Sequence, residues 1–168
     1  RAAPALPPAL RIRLSGASAA GISRLAEIIP WFNHNASIHF SAPHGLEQYG
    51  GAAWGTRDVC QGSVEWLLAA GRLDVVRRTL LTVFSQQHGD DGTWPQWFMH
   101  EPYRFIRQAH SHGDICFWPV KALCDYVEAA NDTAFFEEKV GYSDARTSAA
   151  SGPAETLWAH CDRVIAHC

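Results

Sequence analysis

Arg57 and Asp58 stand side by side directly after the Gly-rich run PHGLEQYGGAAWGT, where helical periodicity resumes. A helix N-terminus gathers unpaired N–H groups that favour an anion, and an adjacent guanidinium adds a bidentate fork. In the competing reading Asp58 only caps the first turn and Arg57 is its surface partner. Around this pair the chain supplies Tyr49, Trp54, Trp94, Trp97 and Trp118, together with Glu47, Gln48, Gln96, Arg104, His112 and Asp114. Aromatic faces stack on the C–H faces of pyranose rings, while carboxylates and amides take the hydroxyls. A concave mixture of the two is what a carbohydrate pocket requires. Trp54 and Trp97 lie in long polar connections and read as sugar-facing, whereas Trp66 and Trp158 lie on apolar helical stripes and read as core.

Other chemistries are less well supplied. His110-x-His112-x-Asp114 resembles a metal-ligand spacing, but alternate positions suit a strand better than a helix start and no fourth ligand is evident. We read His112 and Asp114 as hydroxyl-binding or capping residues and expect no metal. Cys60 as a nucleophile would need a base poised beside it, and its position follows the apolar pattern of its helix. Glu47 and Asp58 could form an acid/base couple for glycoside hydrolysis, but their separation is not readable from the sequence.

The elements that must hold these residues read as helices. Gly21 to Ile29 has helical spacing and stops at Pro30; Trp31 to Phe40 is a second stretch before Pro43. Helical pattern runs from about Asp58 to Gly71, from Leu73 to Phe84, from Asp114 to Ala130, from Thr133 to Lys139 and from Ala154 to His167, with a polar loop over 141–153. No strand is expected. Asp58-Val59-Cys60-x-x-x-Val64-x-x-Leu67 recurs 56 residues later (58 to 114) as Asp114-Ile115-Cys116-x-x-x-Val120-x-x-Leu123. Each copy follows a long loop and precedes a helix that would pack back, so the unit is a helix hairpin. Long connections on one edge separate a closed toroid from a plain solenoid. The expected fold is all-α: an irregular segment over 1–20, then 21–168 as the N-terminal portion of an incomplete α/α barrel.

Composition narrows the class. The 168 residues are 47% hydrophobic and 18% charged, enough for a buried core. A formal net charge of −3 gives no electrostatic reason to expect nucleic acid or an anionic membrane as partner. No apolar run approaches the roughly 20 residues needed to cross a bilayer. Pro4, Pro7 and Pro8 interrupt any signal-peptide core, and the absence of an initiator Met reads as a cut inside a longer chain. Five widely spaced cysteines without C-x-x-C favour a reducing compartment, so cytoplasm is expected. A homo-oligomer is left open.

WFNHNASIHFSAPHGLEQYGGAAWGTRDVCQ, DGTWPQWF and SHGDICFWPVKALCDYVEAAND resemble the central part of the inverting β-glucoside phosphorylases. That group comprises the cellobiose and chitobiose phosphorylase family, with the β-oligoglucan phosphorylases and the phosphorylase-like domain of cyclic β-1,2-glucan synthases. The similarity runs from about Pro30 to Asp144. It implies an (α/α)6 barrel and reversible phosphorolysis: phosphate attacks the anomeric carbon of a terminal β-glucosyl unit with inversion, releasing α-glucose 1-phosphate. No cofactor is implied beyond inorganic phosphate as co-substrate. The family's R-D motif assigns phosphate contact to Arg57 and glucosyl binding to Asp58. Its general acid, an aspartate in a G-D-W-N-D-like motif, has no counterpart before Cys168. These residues on their own are therefore expected to bind substrate without turnover. A hydrolase on the same toroid, using water in place of phosphate, and a non-catalytic helical-repeat binding module are the alternatives.

Overall fold

The computed structural model describes residues 20–43 and 53–168. Residues 1–19 of the expected N-terminal segment and residues 44–52 of the Gly-rich run, with Glu47, Gln48 and Tyr49, lie outside them.

Where two helices were expected before Pro43, one helix, α1, spans Ala20–Ser41 with Pro30 inside it. An internal proline removes one backbone hydrogen bond, and here the helix continues on both sides of that loss. Only the C-terminal part of α1 is well covered: Ala36 and Ser37 are buried, and Phe40 tilts onto Trp66 at 5.8 Å. Ile22, Leu25, Ile28, Trp31, Phe32 and Ile38 are exposed.

The helix containing Arg57 starts as α2 (Thr56–Asp58), passes through a π-helical turn (Val59–Ser63) and continues as α3 (Val64–Ala69). Gly71, at φ +69°, ends it in the left-handed conformation that glycine adopts without a Cβ penalty. α4 (Leu73–Phe84) packs back on α3 with Val76, Leu80, Val83 and Phe84 wholly buried. α5 (Phe117–Ala130) begins three residues after Asp114 and lies against the π turn, α3 and α4. A 3-10 turn (Thr133–Glu137) leads towards α6 (Leu157–His167).

The two repeat copies lie side by side. Val59, Val64 and Leu67 of the first and Ile115 and Leu123 of the second fill one core. Each such side chain contributes about 1.5–3 kcal/mol when fully buried. Lys121 Nζ reaches Glu65 Oε1 at 3.1 Å, joining positions seven residues beyond Asp114 and Asp58 respectively. With Arg57 and Asp114 paired near the starts of the two segments, the helices run parallel, in register to within one residue.

The all-α expectation, with its partial toroid of helix hairpins, is overturned by two antiparallel sheets. β1 (Trp54–Gly55), β2 (Trp97–Phe98) and β3 (Arg107–Gln108) pair in the order β1-β2-β3. Their register sets Gly55 opposite Trp97 and Trp97 opposite Gln108. β4 (Lys139–Ser143) and β5 (Ala150–Thr156) form a hairpin where a polar loop was expected. Two-residue strands have no periodicity to read, and β5 is largely exposed and contains Gly152 and Pro153, residues that usually mark turns. The chain is mixed α/β.

Candidate active site

The first sheet positions the Arg57–Asp58 pair. Thr56 is wholly buried; its N–H donates to the Gln96 carbonyl at 2.9 Å and its hydroxyl to the Pro95 carbonyl at 2.6 Å. Gln96 N–H in turn donates to the Gln108 carbonyl at 2.8 Å. The start of the helix is thus stitched across β1, β2 and β3, and the half-buried Gln96 and Trp97 are brought beside it. Gly55, in extended conformation, is the N-cap and no side chain caps this end. Asp58 is therefore a first-turn residue and not the cap, half-buried like Arg57. The π turn that follows at once widens the helix, an irregularity that recurs at functional sites and that hydrophobic spacing does not signal.

Arg57 Nη1 donates to Asp114 Oδ2 at 3.2 Å across the repeat interface. The Trp118 indole N–H approaches the same oxygen at 3.4 Å. Trp118, then Arg57, hold the Asp114 carboxyl below the usual carboxylate range. Asp114 lies in the turn ahead of α5, where its carbonyl accepts the Phe117 N–H at 3.2 Å.

Other expected site residues fall elsewhere. Trp54 is only 9% exposed and packs against Phe98, at 5.9 Å between ring centroids, and edge-on to His100 at 4.6 Å. Its ring belongs to the core. Trp94 is wholly buried, with its indole N–H on the Val83 carbonyl at 3.0 Å. Trp66 is partly buried as its apolar stripe requires, but Trp158 is 55% exposed against Phe136. His112 lines a cavity of about 360 Å³ with Thr93, Gly113, Cys116, His167 and Cys168, a lining that does not include Arg57, Asp58 or Trp97. Glu47 and Gln48 lie outside the described residues.

Among the described residues no three His, Cys, Asp or Glu side chains converge on a position that could hold a metal ion. Cys60 is wholly enclosed, and burial, then the Asp58 carboxylate, drives its thiol well above the usual range. A nucleophilic thiolate there is disfavoured. Thr56 and Trp118 are the contributors that the sequence reading did not single out as positioning groups. The position of Trp118 four residues after Asp114, one helical turn on, was the available signal for the second.

This arrangement offers a half-buried cation and a half-buried carboxylate at one helix start, with Gln96 and the strand that carries Trp97 paired beside it. The chain resembles a β-oligoglucan phosphorylase. The 1,2-β-oligoglucan phosphorylase of Listeria innocua is 44% identical over 135 residues, 80% of this chain and 12% of that protein. The chain thus spans about an eighth of the length of the curated relative it matches. No protein-family model matches it. Among the described residues no helix is long and apolar enough to cross a membrane.

Proposed function

We propose that this chain supplies the glucosyl-binding and part of the phosphate-binding site of a glycoside phosphorylase acting on β-linked gluco-oligosaccharides. The observation that carries the reading is the pairing of Arg57 and Asp58 at one helix start, in a chain 44% identical over 135 residues to a 1,2-β-oligoglucan phosphorylase. β-1,2-Linked oligoglucans are accordingly the first substrates to test.

In this reaction a phosphate oxygen bonds to the anomeric carbon from the face opposite the leaving sugar, and the C1–O glycosidic bond breaks with inversion. The leaving oxygen takes a proton from a carboxylic acid, a role for which no residue of this chain is put forward. Arg57 neutralises the incoming phosphate through its fork of N–H donors. Asp58 anchors hydroxyls of the glucosyl unit while positive charge develops on the ring. Trp97 and Gln96, delivered by β2 and the residue before it, line the sugar. No cofactor takes part in the scheme.

The test is release of inorganic phosphate from α-glucose 1-phosphate with a β-1,2-oligoglucan acceptor, using the full-length polypeptide that carries this chain. Arg57→Ala is expected to lower kcat/KM for phosphate about 10²–10³-fold, the scale of one lost charge-stabilising donor. Asp58→Ala is expected to lose a similar factor with no selective change in the KM for phosphate. Release of free glucose at a rate independent of phosphate would overturn the reading. The 168 residues alone are expected to give no turnover, and phosphate release above a buffer control would contradict that.

A further inference from the structure

We propose that Asp114 is the positioning residue for Arg57, holding one guanidinium nitrogen so that the remaining N–H groups face the phosphate. This rests on the phosphorylase reading above. Two donors converge on Asp114 Oδ2: Arg57 Nη1 at 3.2 Å and Trp118 Nε1 at 3.4 Å. Trp118 stands in the first turn of α5, so the carboxylate is fixed to a helix and not left to a loop.

The repeat explains how the contact arises. Asp114 is the sequence equivalent of Asp58, and the parallel pairing of the two copies carries it beside Arg57. The Lys121–Glu65 bridge at 3.1 Å joins the two helices again further along, seven residues beyond Asp114 and eight beyond Arg57. Two cross-repeat pairs thus hold the helices side by side to within one residue of the repeat offset, one of them at the proposed phosphate end.

Stability does not account for the pair. The Arg57 and Asp114 side chains are 40% and 54% exposed, and solvent screens an ion pair so placed. What it does provide is order in a long, flexible side chain with five donors. With Nη1 committed to Asp114, the rest of the fork is preset for an oxyanion, which lowers the ordering cost of binding. Trp118, then Arg57, keep the Asp114 carboxyl below its usual range, so it remains charged wherever phosphate is a dianion.

The sign of the effect separates two roles. A positioning carboxylate improves phosphate binding, whereas one that merely competes with phosphate for Arg57 weakens it. In the full-length polypeptide, phosphorolysis of a β-1,2-oligoglucan at varied phosphate is expected to show a phosphate KM about tenfold higher for Asp114→Asn. The change in kcat should be smaller and the oligoglucan KM should hold. Asp114→Glu should recover part of the loss, and Trp118→Phe should shift phosphate KM in the same direction by less. In an Arg57→Ala background Asp114→Asn should add nothing, because the partner is gone. An unchanged or lowered phosphate KM in Asp114→Asn, or full additivity with Arg57→Ala, would overturn the proposal. Should Asp114→Asn fail to fold, Asp114→Ser and Trp118→Phe decide by the same criterion. A phosphate-dependent wild type that loses phosphate affinity in Arg57→Ala but not in the Asp114 variants removes this inference alone. A wild type indifferent to phosphate removes the phosphorylase reading with it.

Discussion

Asp58 and Cys60 are two residues apart and face opposite environments. Asp58 is half-buried at the site, whereas Cys60 is 2% exposed in the core. A thiol enclosed in apolar surroundings, with a carboxylate close by, resists ionisation and hence alkylation. Iodoacetamide at pH 8 is expected to modify the exposed Cys124 well before Cys60 in the folded polypeptide. Equal labelling rates, read by peptide mass spectrometry, would contradict the buried-thiol assignment. Cys60→Ala should cost about 1–2 kcal/mol of stability, the transfer and cavity terms of a small apolar side chain, and leave phosphate KM where it is. The same residue-scale logic separates Trp54 from Trp97. Both sit in polar, Gly- or Pro-flanked stretches, but the β1–β2 pairing buries the Trp54 ring against Phe98 and His100 and leaves Trp97 half-buried.

At the scale of elements, the turns matter as much as the helices. Gly71 and Gly92 both have positive φ, at +69° and +76°. A Cβ at Gly71 would meet open space, but one at Gly92 would lie 2.9 Å from Arg163 Cγ and 3.0 Å from the Arg163 carbonyl oxygen. Gly71→Ala is therefore expected to cost about 1–2 kcal/mol through backbone conformation alone. Gly92→Ala adds overlap with the backbone of α6 and should cost clearly more, about 3 kcal/mol or above. Chemical denaturation of the two variants measures the difference; equal losses would mean that α6 moves aside without resistance. The Glu65–Lys121 bridge is half-exposed at both ends, so Lys121→Met should change stability by less than about 1 kcal/mol despite its place in the repeat register.

For the whole molecule, the tie between the Gln86–Thr93 turn and the β4–β5 hairpin makes stability depend on pH. His88 is 2% exposed, bridges to Ser143 and meets Thr93 Oγ1 through Nδ1 at 3.2 Å. Burial, then Arg107, pushes its pKa down, against the opposing pull of Asp91. An unfolded histidine takes up a proton near pH 6.5. The folded one does so only at lower pH, so the unfolded state binds more protons in that range. The contribution is thus complete above about pH 6.5 and is lost as pH falls below it towards the folded pKa. Thermal melts of the full-length polypeptide should show Tm dropping from pH 7 to pH 5, with a shallower drop in His88→Gln. A parallel drop in the two proteins would remove His88 as the cause.

Some of this was legible in the residues themselves. The limits of α4 (Leu73–Phe84), the end of the preceding helix at Gly71 and the buried faces of the two repeat copies follow from apolar spacing and one glycine, because burial on one face of a helix repeats at a fixed period. The 56-residue repeat announced two equivalent helices, and the adjacency of Arg57 and Asp58 at a helix start needed no structure. Tertiary contact decided the rest. Strands of two residues carry no period, and only pairing with distant chain makes them strands, so the sheet that anchors Thr56 was invisible. The same holds for the β4–β5 hairpin, whose alternation of Val140 and Tyr142 is too short to stand out. Pro30 ends a helix by local rule and yet lies inside α1. Above all, the partner of Arg57 lies 57 residues away, and spacing along the chain does not measure that distance. Residue types set which groups could bind an anion and a sugar; the packing of one repeat on the other decided that Asp114 would meet Arg57.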